Sequence, residues 1–507
     1  MALVTEKNRK WWILASMTCS ICMTYIDVSV LPVALPTMQR QLNLTQEGLQ
    51  WIINGYTLAL TVFVLAGGKI ADIFGHKKIF CLALGVFSLA SLLCALSQSE
   101  AFLVSSRILQ GIGGAILLPT SSSILLSAFP PEQRGKALGL YVSFGSIFLA
   151  LGPFIGGSLT EYMSWHMIFL INIPIAIIGL ILTLLFVRPT ERKKEPFDIA
   201  GFSTLALGFT CIIIGVMQAN LWGWDSWRIL FLLSAGLVLL TFLFLKEKTA
   251  AAALIKLSLF KNKTFLSTNI CMALNQFQLV ITIFWAIYFQ DGLGYSPALA
   301  GSIAFLANAP VLFSAPIAGL LVDRYGPKLP VTIGFTLIFF SLFWFICFPL
   351  PSFTLLLPVL IPFGFGVPLV FTPCFASAIN QVADNERGYA SGLITTLRQF
   401  SSTLGMAVFG SVFVRLQMQS FSSLLQSNAQ TASIDPHALG GLLSKTPAPL
   451  AFLQKLPPLI AEKVEAYFTT SYLYSFSRLN VLALCMTTLG IILAFFLLQK
   501  KNKSLSE

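Results

Sequence analysis

Asp27 and Arg107 carry opposite charges, and each is set in a long apolar run. Asp27 stands in Tyr25-Ile26-Asp27-Val28-Ser29-Val30-Leu31-Pro32, with Pro36 shortly after. Arg107 opens Arg107-Ile108-Leu109-Gln110-Gly111-Ile112-Gly113-Gly114. An ionised carboxylate in hydrocarbon is costly, so it either takes up a proton or faces a wet cavity. Both suit a proton carrier. Arg107 either snorkels to the surface or points into a helix bundle at such a carboxylate and tunes it; the glycines that follow it favour the bundle, because they let helices approach closely. Arg398, beside Gln399, is another cation within an apolar run, and it either serves a site or reaches for the interface.

A second group of charges recurs. Gly68-Lys69-Ile70-Ala71-Asp72-Ile73-Phe74-Gly75-His76-Lys77-Lys78 is echoed by Gly319-Leu320-Leu321-Val322-Asp323-Arg324-Tyr325-Gly326-Pro327-Lys328. Each joins an acid to bases at the end of an apolar run. Asp72 and Asp323 suit capping a neighbouring helix and pairing with a base across an interface, contacts that hold one conformation and break in another. Arg134-Gly135-Lys136-Ala137 is likewise echoed by Arg387-Gly388-Tyr389-Ala390.

Gly145, Gly152, Pro153, Gly156 and Gly157 share one further run. In lipid this spacing gives a bent helix that presses closely on a neighbour. Pro32 and Pro36 are expected to break the end of the first helix. Of the many aromatics, Tyr25, Trp51, Tyr56, Phe284, Trp285 and Tyr288 are candidates to line a greasy cavity by stacking and cation–π contact, with Arg398 beside them.

The elements that must hold these residues follow from composition. The chain has 507 residues, of which 56% are hydrophobic and 10% charged, far from the ~25% charge of a soluble globule. A span needs roughly 20 apolar residues. Fourteen are expected, near 11–34, 50–71, 79–97, 101–128, 136–159, 165–187, 198–218, 227–245, 265–290, 298–322, 329–349, 353–379, 389–415 and 475–498. The repeats place a six-helix bundle at 1–187, two inserted helices with linkers at 188–264, and a second six-helix bundle at 265–507. The last contains a Ser/Gln-rich, then Pro-rich, outer loop at 416–474. Duplicated halves with a site between them are a transporter layout. With both termini inside, 22 of the 32 Lys and Arg fall in cytoplasmic segments, so the net charge of +12 reports topology in a bilayer and not nucleic-acid binding. The first apolar run is too long for a cleaved signal core and reads as a span.

No phosphate-binding G-x-x-x-x-G-K-[ST] loop, catalytic triad or zincin motif occurs, so the chain is neither an ATP-driven pump by itself nor an enzyme of those types. The nine cysteines show no metal spacing, and Cys19 and Cys22 lie alone in an apolar helix; no metal or cofactor is expected.

Taken in order, these words resemble the major facilitator superfamily, in particular its 14-span drug:proton antiporters (EmrB/QacA type). The Asp27–Pro36 segment resembles that family's first-span signature, and Trp51 with Tyr56 its second-span pair. Gly68–Lys78 is similar to the superfamily's G-x-L-A-D-R-x-G-R-K loop, Arg107–Gly114 to its R-x-x-Q-G motif, and Gly152-Pro153-x-x-Gly156-Gly157 to the antiporter motif. Trp165–Pro174 resembles W-R-W-I-F-x-x-N-x-P. Ile73 and His76 replace basic residues of the loop, and His166 replaces an arginine. The resemblance implies a multi-pass inner-membrane protein that exports small hydrophobic or amphipathic compounds in exchange for protons, by alternating access of two halves. Asp27 and Arg107 would lie on the proton path and the span-five glycines at a hinge. A dedicated exporter of one endogenous metabolite, possibly docked through its outer segment to a periplasmic adaptor, is the alternative, and a proton-symport importer the lesser one.

Overall fold

A computed structural model describes residues 6–189, 198–248, 257–348, 353–382, 387–439, 442 and 447–498. Of the expected linkers, 190–197 and 249–256 lie outside the described residues. Thirteen of the described helices are long and apolar enough to cross a membrane: α1 (Glu6–Leu42), α2 (Gln46–Phe74), α3 (His76–Ala95), α4 (Glu100–Ala128), α5 (Pro131–Tyr162), α6 (Met167–Phe186), α7 (Ile199–Trp222), α8 (Trp227–Glu247), α9 (Lys263–Gly292), α10 (Pro297–Tyr325), α11 (Lys328–Cys347), α12 (Phe353–Ile379) and α14 (Pro458–Leu497). The helix α13 (Arg387–Gln426) packs among them as the fourteenth, its hydropathy diluted by Arg398 and Arg415.

Local chemistry sets the ends. Thr45 and Ser99 cap α2 and α4 by accepting from the amides of Gly48 and Phe102. The two echoed loops turn on Gly75 and Gly326, with φ of +94° and +76°, a region that favours glycine. The repeat is therefore one of backbone geometry as well as of charge.

Two expectations are corrected. Pro32 and Pro36 do not end α1, which runs through both to Leu42; in lipid the flanking backbone has no partner but the helix itself, so the helix resumes beyond each proline. The segment 416–474, expected as an outer loop, is largely helical among its described residues. The helices α13 and α14 extend into it, and Phe421, Leu425, Leu439, Leu442, Leu453, Val464 and Phe468 close a small core of their own. The i, i+4 pairs Phe421/Leu425 and Val464/Phe468 carried that pattern beneath the Ser and Gln content.

The halves meet along two seams. At one, Thr61 of α2 faces Thr403 of α13, hydroxyl to hydroxyl at 3.2 Å. The inserted pair α7–α8 lies over this seam, with Phe209 stacked on Phe400 at 4.1 Å and Asn220 donating to the Ser411 carbonyl. At the other, α5 crosses α10. A side chain at Gly157 would strike the Pro297 carbonyl, and one at Gly301 the Pro153 carbonyl. Gly139 precedes Gly157, and Gly319 follows Gly301, by five helical turns, about 27 Å, so each lies on the same face as its counterpart. Nothing lies within 4 Å of a side chain placed at either. The seam is thus closed at the end away from the chain termini and parts toward the end that carries them.

Candidate functional site

The two charges that opened the sequence reading meet inside the first half. Arg107 Nη1 donates to Asp27 Oδ2 at 2.6 Å, with both side chains 1% exposed. Gln110, one turn beyond Arg107 on the same face, completes a ring: its Nε2 donates to Asp27 Oδ1 at 2.7 Å and its Oε1 accepts from Arg107 Nη1 at 2.6 Å. Arg107 Nε donates to the Ile52 carbonyl at 3.2 Å, and its guanidinium lies 4.3 Å from the Tyr56 ring centre. Gln110 also donates to Ser91 Oγ at 2.9 Å, which Asn172 reaches from α6. Five helices, α1, α2, α3, α4 and α6, thereby converge on one carboxylate.

The glycines explain how α4 brings Arg107 there. A side chain at Gly111 would run into the Tyr56 carbonyl, and one at Gly113 into the backbone of Phe87. Without them α2 and α3 could not close on α4, and Arg107 would not reach the Ile52 carbonyl. Both oxygens of Asp27 thus accept, one from Arg107 and one from Gln110.

The span-five residues are contact points. Gly145 lies against Ile21 and Tyr25, Gly152 against Ser29 and Gly156 against the Val30 backbone, so α5 seats on α1 within three residues of Asp27. Pro153 and Gly157 face α10. Gly68 packs on Pro119. In the first echoed loop Asp72 pairs with His76 at 3.2 Å, Lys77 donates to the Leu184 carbonyl and Lys78 is exposed. In the second, Asp323 and Arg324 are exposed, and Arg324 covers Tyr325. The acid in the first loop thus meets His76 of its own loop, four residues on.

The aromatic candidates are not brought together. Phe284 lines a cavity of about 50 Å³ between the halves, with Gln39, Gln50, Gln417 and Tyr472. Tyr25 is half-buried beside Gly145. Trp51 packs under α7, and Tyr56 lies beneath Arg107. Trp285 donates to Asn480 and abuts Phe345 and Phe363, and Tyr288 stacks on Phe476 at 4.0 Å; both are interior to the second half. Arg398 is half-buried, 5.2 Å from the Phe371 ring centre. Gln110, Ser91 and Asn172 were absent from the sequence-based candidates. The i, i+3 spacing from Arg107 could have signalled Gln110, whereas Ser91 and Asn172 come from other helices and leave no local mark.

Two pseudo-repeated helical halves, closed at one end and parted at the other around a buried charge cluster, define a membrane transporter of the two-bundle class. The chain belongs to the Major Facilitator Superfamily, which it matches over residues 17–406. It is similar to the tetracenomycin C resistance and export protein of Streptomyces glaucescens, 30% identical over 410 residues, 80% of this chain and 76% of that protein. It is also similar to the multidrug resistance protein Stp of Mycobacterium tuberculosis, 28% identical over 450 residues, 86% of this chain and 82% of that one. The crystal structure of a bacterial homologue of the human lysosomal transporter Spinster superposes with a TM-score of 0.63 at 15% identity, covering 98% of this chain and 100% of that one; it shares the fold.

Proposed function

We propose that the chain is a secondary active exporter that moves small hydrophobic or amphipathic compounds out of the cell against inward proton flow. The observation that carries this reading is the buried Asp27–Arg107–Gln110 ring, because protonation of Asp27 there removes the charge that its two donors meet. A proton on Asp27 cancels the charge that holds Arg107, which keeps its bonds to Gln110 and the Ile52 carbonyl. Asp27 lies two and three residues from Ser29 and Val30, where α1 rests on Gly152 and Gly156, and the same helix α5 meets α10 at Gly157. Proton uptake thereby bears on the seam between halves, and these glycines act as the hinge.

On this reading the chain sits in the inner membrane with both termini cytoplasmic, and the parted end opens to the cytoplasm. The two bundles (1–187 and 265–507) rock about the site, flanked by the inserted pair (188–264). Gly68, Asp72, Gly75, Lys77 and Lys78, with Asp323, Arg324 and Gly326, form the rim that must come together when the path faces outward. The kinship with an export protein for one antibiotic, tetracenomycin C, favours a dedicated cargo as the second reading. The cap formed by 416–474 is the surface an adaptor would meet.

The test uses everted vesicles energised to an acid interior. Candidate amphipathic compounds are added, and dequenching of a pH-sensitive dye is followed for wild type and Asp27→Asn. Compound-dependent proton release is expected only from the wild type. Equal release from Asp27→Asn overturns the assignment of the proton site.

A further inference from the structure

Arg398 is a cation within a span, and among the described residues no carboxylate pairs with it. It lies eleven residues after Arg387, the start of α13, about 16 Å along the axis and so about halfway across a ~30 Å hydrocarbon core. A charged side chain at such depth costs roughly 3 kcal/mol. Arg107, the other interior arginine, meets that cost through Asp27 and Gln110. The Arg398 Nε is buried and has no hydrogen-bond partner, and the guanidinium rests on the Phe371 ring. Among the described residues Asp27 is the only carboxylate deep within a span, and Arg107 already holds it.

Arg398 lies on the face of α13 that turns toward its own half. Seven residues on, and so on nearly the same face of α13, Gly405 seats on Phe277 of α9. Arg398 extends from there toward α12, where Phe371 and Phe375 stack at 5.7 Å and are each only partly buried. The helix α12 packs mainly on α10 and α11, and α13 on α2 and α14; each also meets α9, but they hardly touch each other, and the guanidinium and the two phenyl rings stand in that gap.

We infer that Arg398, with Phe371 and Phe375, forms the recognition subsite for the transported compound, and that this compound is a planar aromatic bearing an anionic oxygen, such as a carboxylate or phenolate. The rings supply a stacking surface, and the guanidinium supplies charge-assisted hydrogen bonds to the oxygen. A cationic drug would meet a like charge with no carboxylate to offset it. The inference deepens the export reading by naming its substrate class, and it rests on that reading for its meaning, although binding can be measured without transport.

The test is direct binding to the purified full-length protein of three anthracene probes that differ in one group: anthracene-9-carboxylate, 9-anthracenemethanol and 9-(aminomethyl)anthracene. Wild type is expected to bind the carboxylate about tenfold more tightly than the alcohol, and the amine most weakly. Arg398→Gln should erase the carboxylate preference and leave alcohol affinity within about twofold, which also shows that the variant is folded. Arg398→Lys should keep part of the preference, losing the planar two-point geometry. The proposal is overturned if the amine binds as well as the carboxylate, or if Arg398→Gln weakens all three equally, which would mark a structural arginine. Selective binding without uphill transport of the carboxylate in vesicles would instead defeat the export reading and leave the subsite standing.

Discussion

Removing one member of the Asp27–Arg107 pair should cost more than removing both. Each side chain is 1% exposed and the two lie 2.6 Å apart, so loss of either leaves a buried charge without its counter-ion, a change of about 3–5 kcal/mol. In Asp27→Asn the new amide can still accept from Gln110 Nε2, which now reaches Asp27 Oδ1 at 2.7 Å; the loss is then mainly electrostatic. In Arg107→Gln the carboxylate keeps only Gln110. In the double variant Asp27→Asn/Arg107→Gln two neutral amides of similar volume share the site, and buried pairs replaced in this way often come out near neutral. Its stability should return to within about 1–2 kcal/mol of wild type, leaving about 3 kcal/mol or more of non-additivity in the cycle. Denaturant unfolding of the purified proteins, followed by tryptophan fluorescence, measures the three differences. Uphill transport in vesicles should be absent from all three variants, including the restored double, which separates coupling from folding. Additive losses would refute the picture of a mutually compensated pair. Proton-driven transport by the double variant would refute the assignment of coupling to it.

Other outcomes follow from the seams and ends. Gly157→Leu should abolish transport while the protein still folds, because its side chain meets the Pro297 backbone at the closed end of the α5–α10 seam; wild-type transport rates from this variant would show that the seam does not need to close. Cysteines at Gly139 and Gly319, in a background without the native thiols, should resist cross-linking at rest, since both positions face open space, and should cross-link under turnover as that end closes; identical yields in both conditions would argue against rocking. Lys246 donates to both oxygens of Asp198 at 2.8 and 2.9 Å, and this bond, with the Gly201 amide, holds the Asp198 carboxyl below its ordinary range. A lowered carboxyl stabilises above its unfolded value and loses that contribution only as pH falls through the folded one. Asp198→Ala should therefore cost about 1 kcal/mol at neutral pH through the lost α7 cap, with the difference vanishing in strong acid and flat across the neutral range.

Much of this architecture was legible because membrane insertion enforces it. Long apolar runs gave every span, since a helix satisfies its backbone hydrogen bonds within itself in lipid. The charges within those runs had to be paired or purposeful, which singled out Asp27, Arg107 and Arg398 before any contact was known. The glycines of α5 were readable as contacts, but not which neighbour each would touch: Gly152 and Gly156 go to α1, whereas Gly157 goes to the other half. The aromatic candidates misled for a physical reason. Trp285 and Tyr288 have the composition of a binding wall, yet large rings also fill bundle cores best, and these two pack there on Phe345 and Phe476. The small core within 416–474 was hidden because its seven apolar residues lie far apart in sequence, among Ser, Gln and Pro.

The two halves repeat in sequence but differ in how they hold their buried polar groups. In the first half the interior of the bundle is held by charge, through Asp27, Arg107 and Gln110. In the second, α9 carries Asn275 and Gln278, with Gln278 bonded to the Thr487 hydroxyl and Trp285 to Asn480, all of them neutral. Protons act only on groups that change charge, so on the proposed reading the driving force enters through the first half. The second half responds as a body, through the α5–α10 and α2–α13 seams. Its own interior charge, Arg398, is then free of the coupling cycle and available to the cargo. A transporter so divided can change what it carries by changing α12 and α13 without disturbing how it is driven.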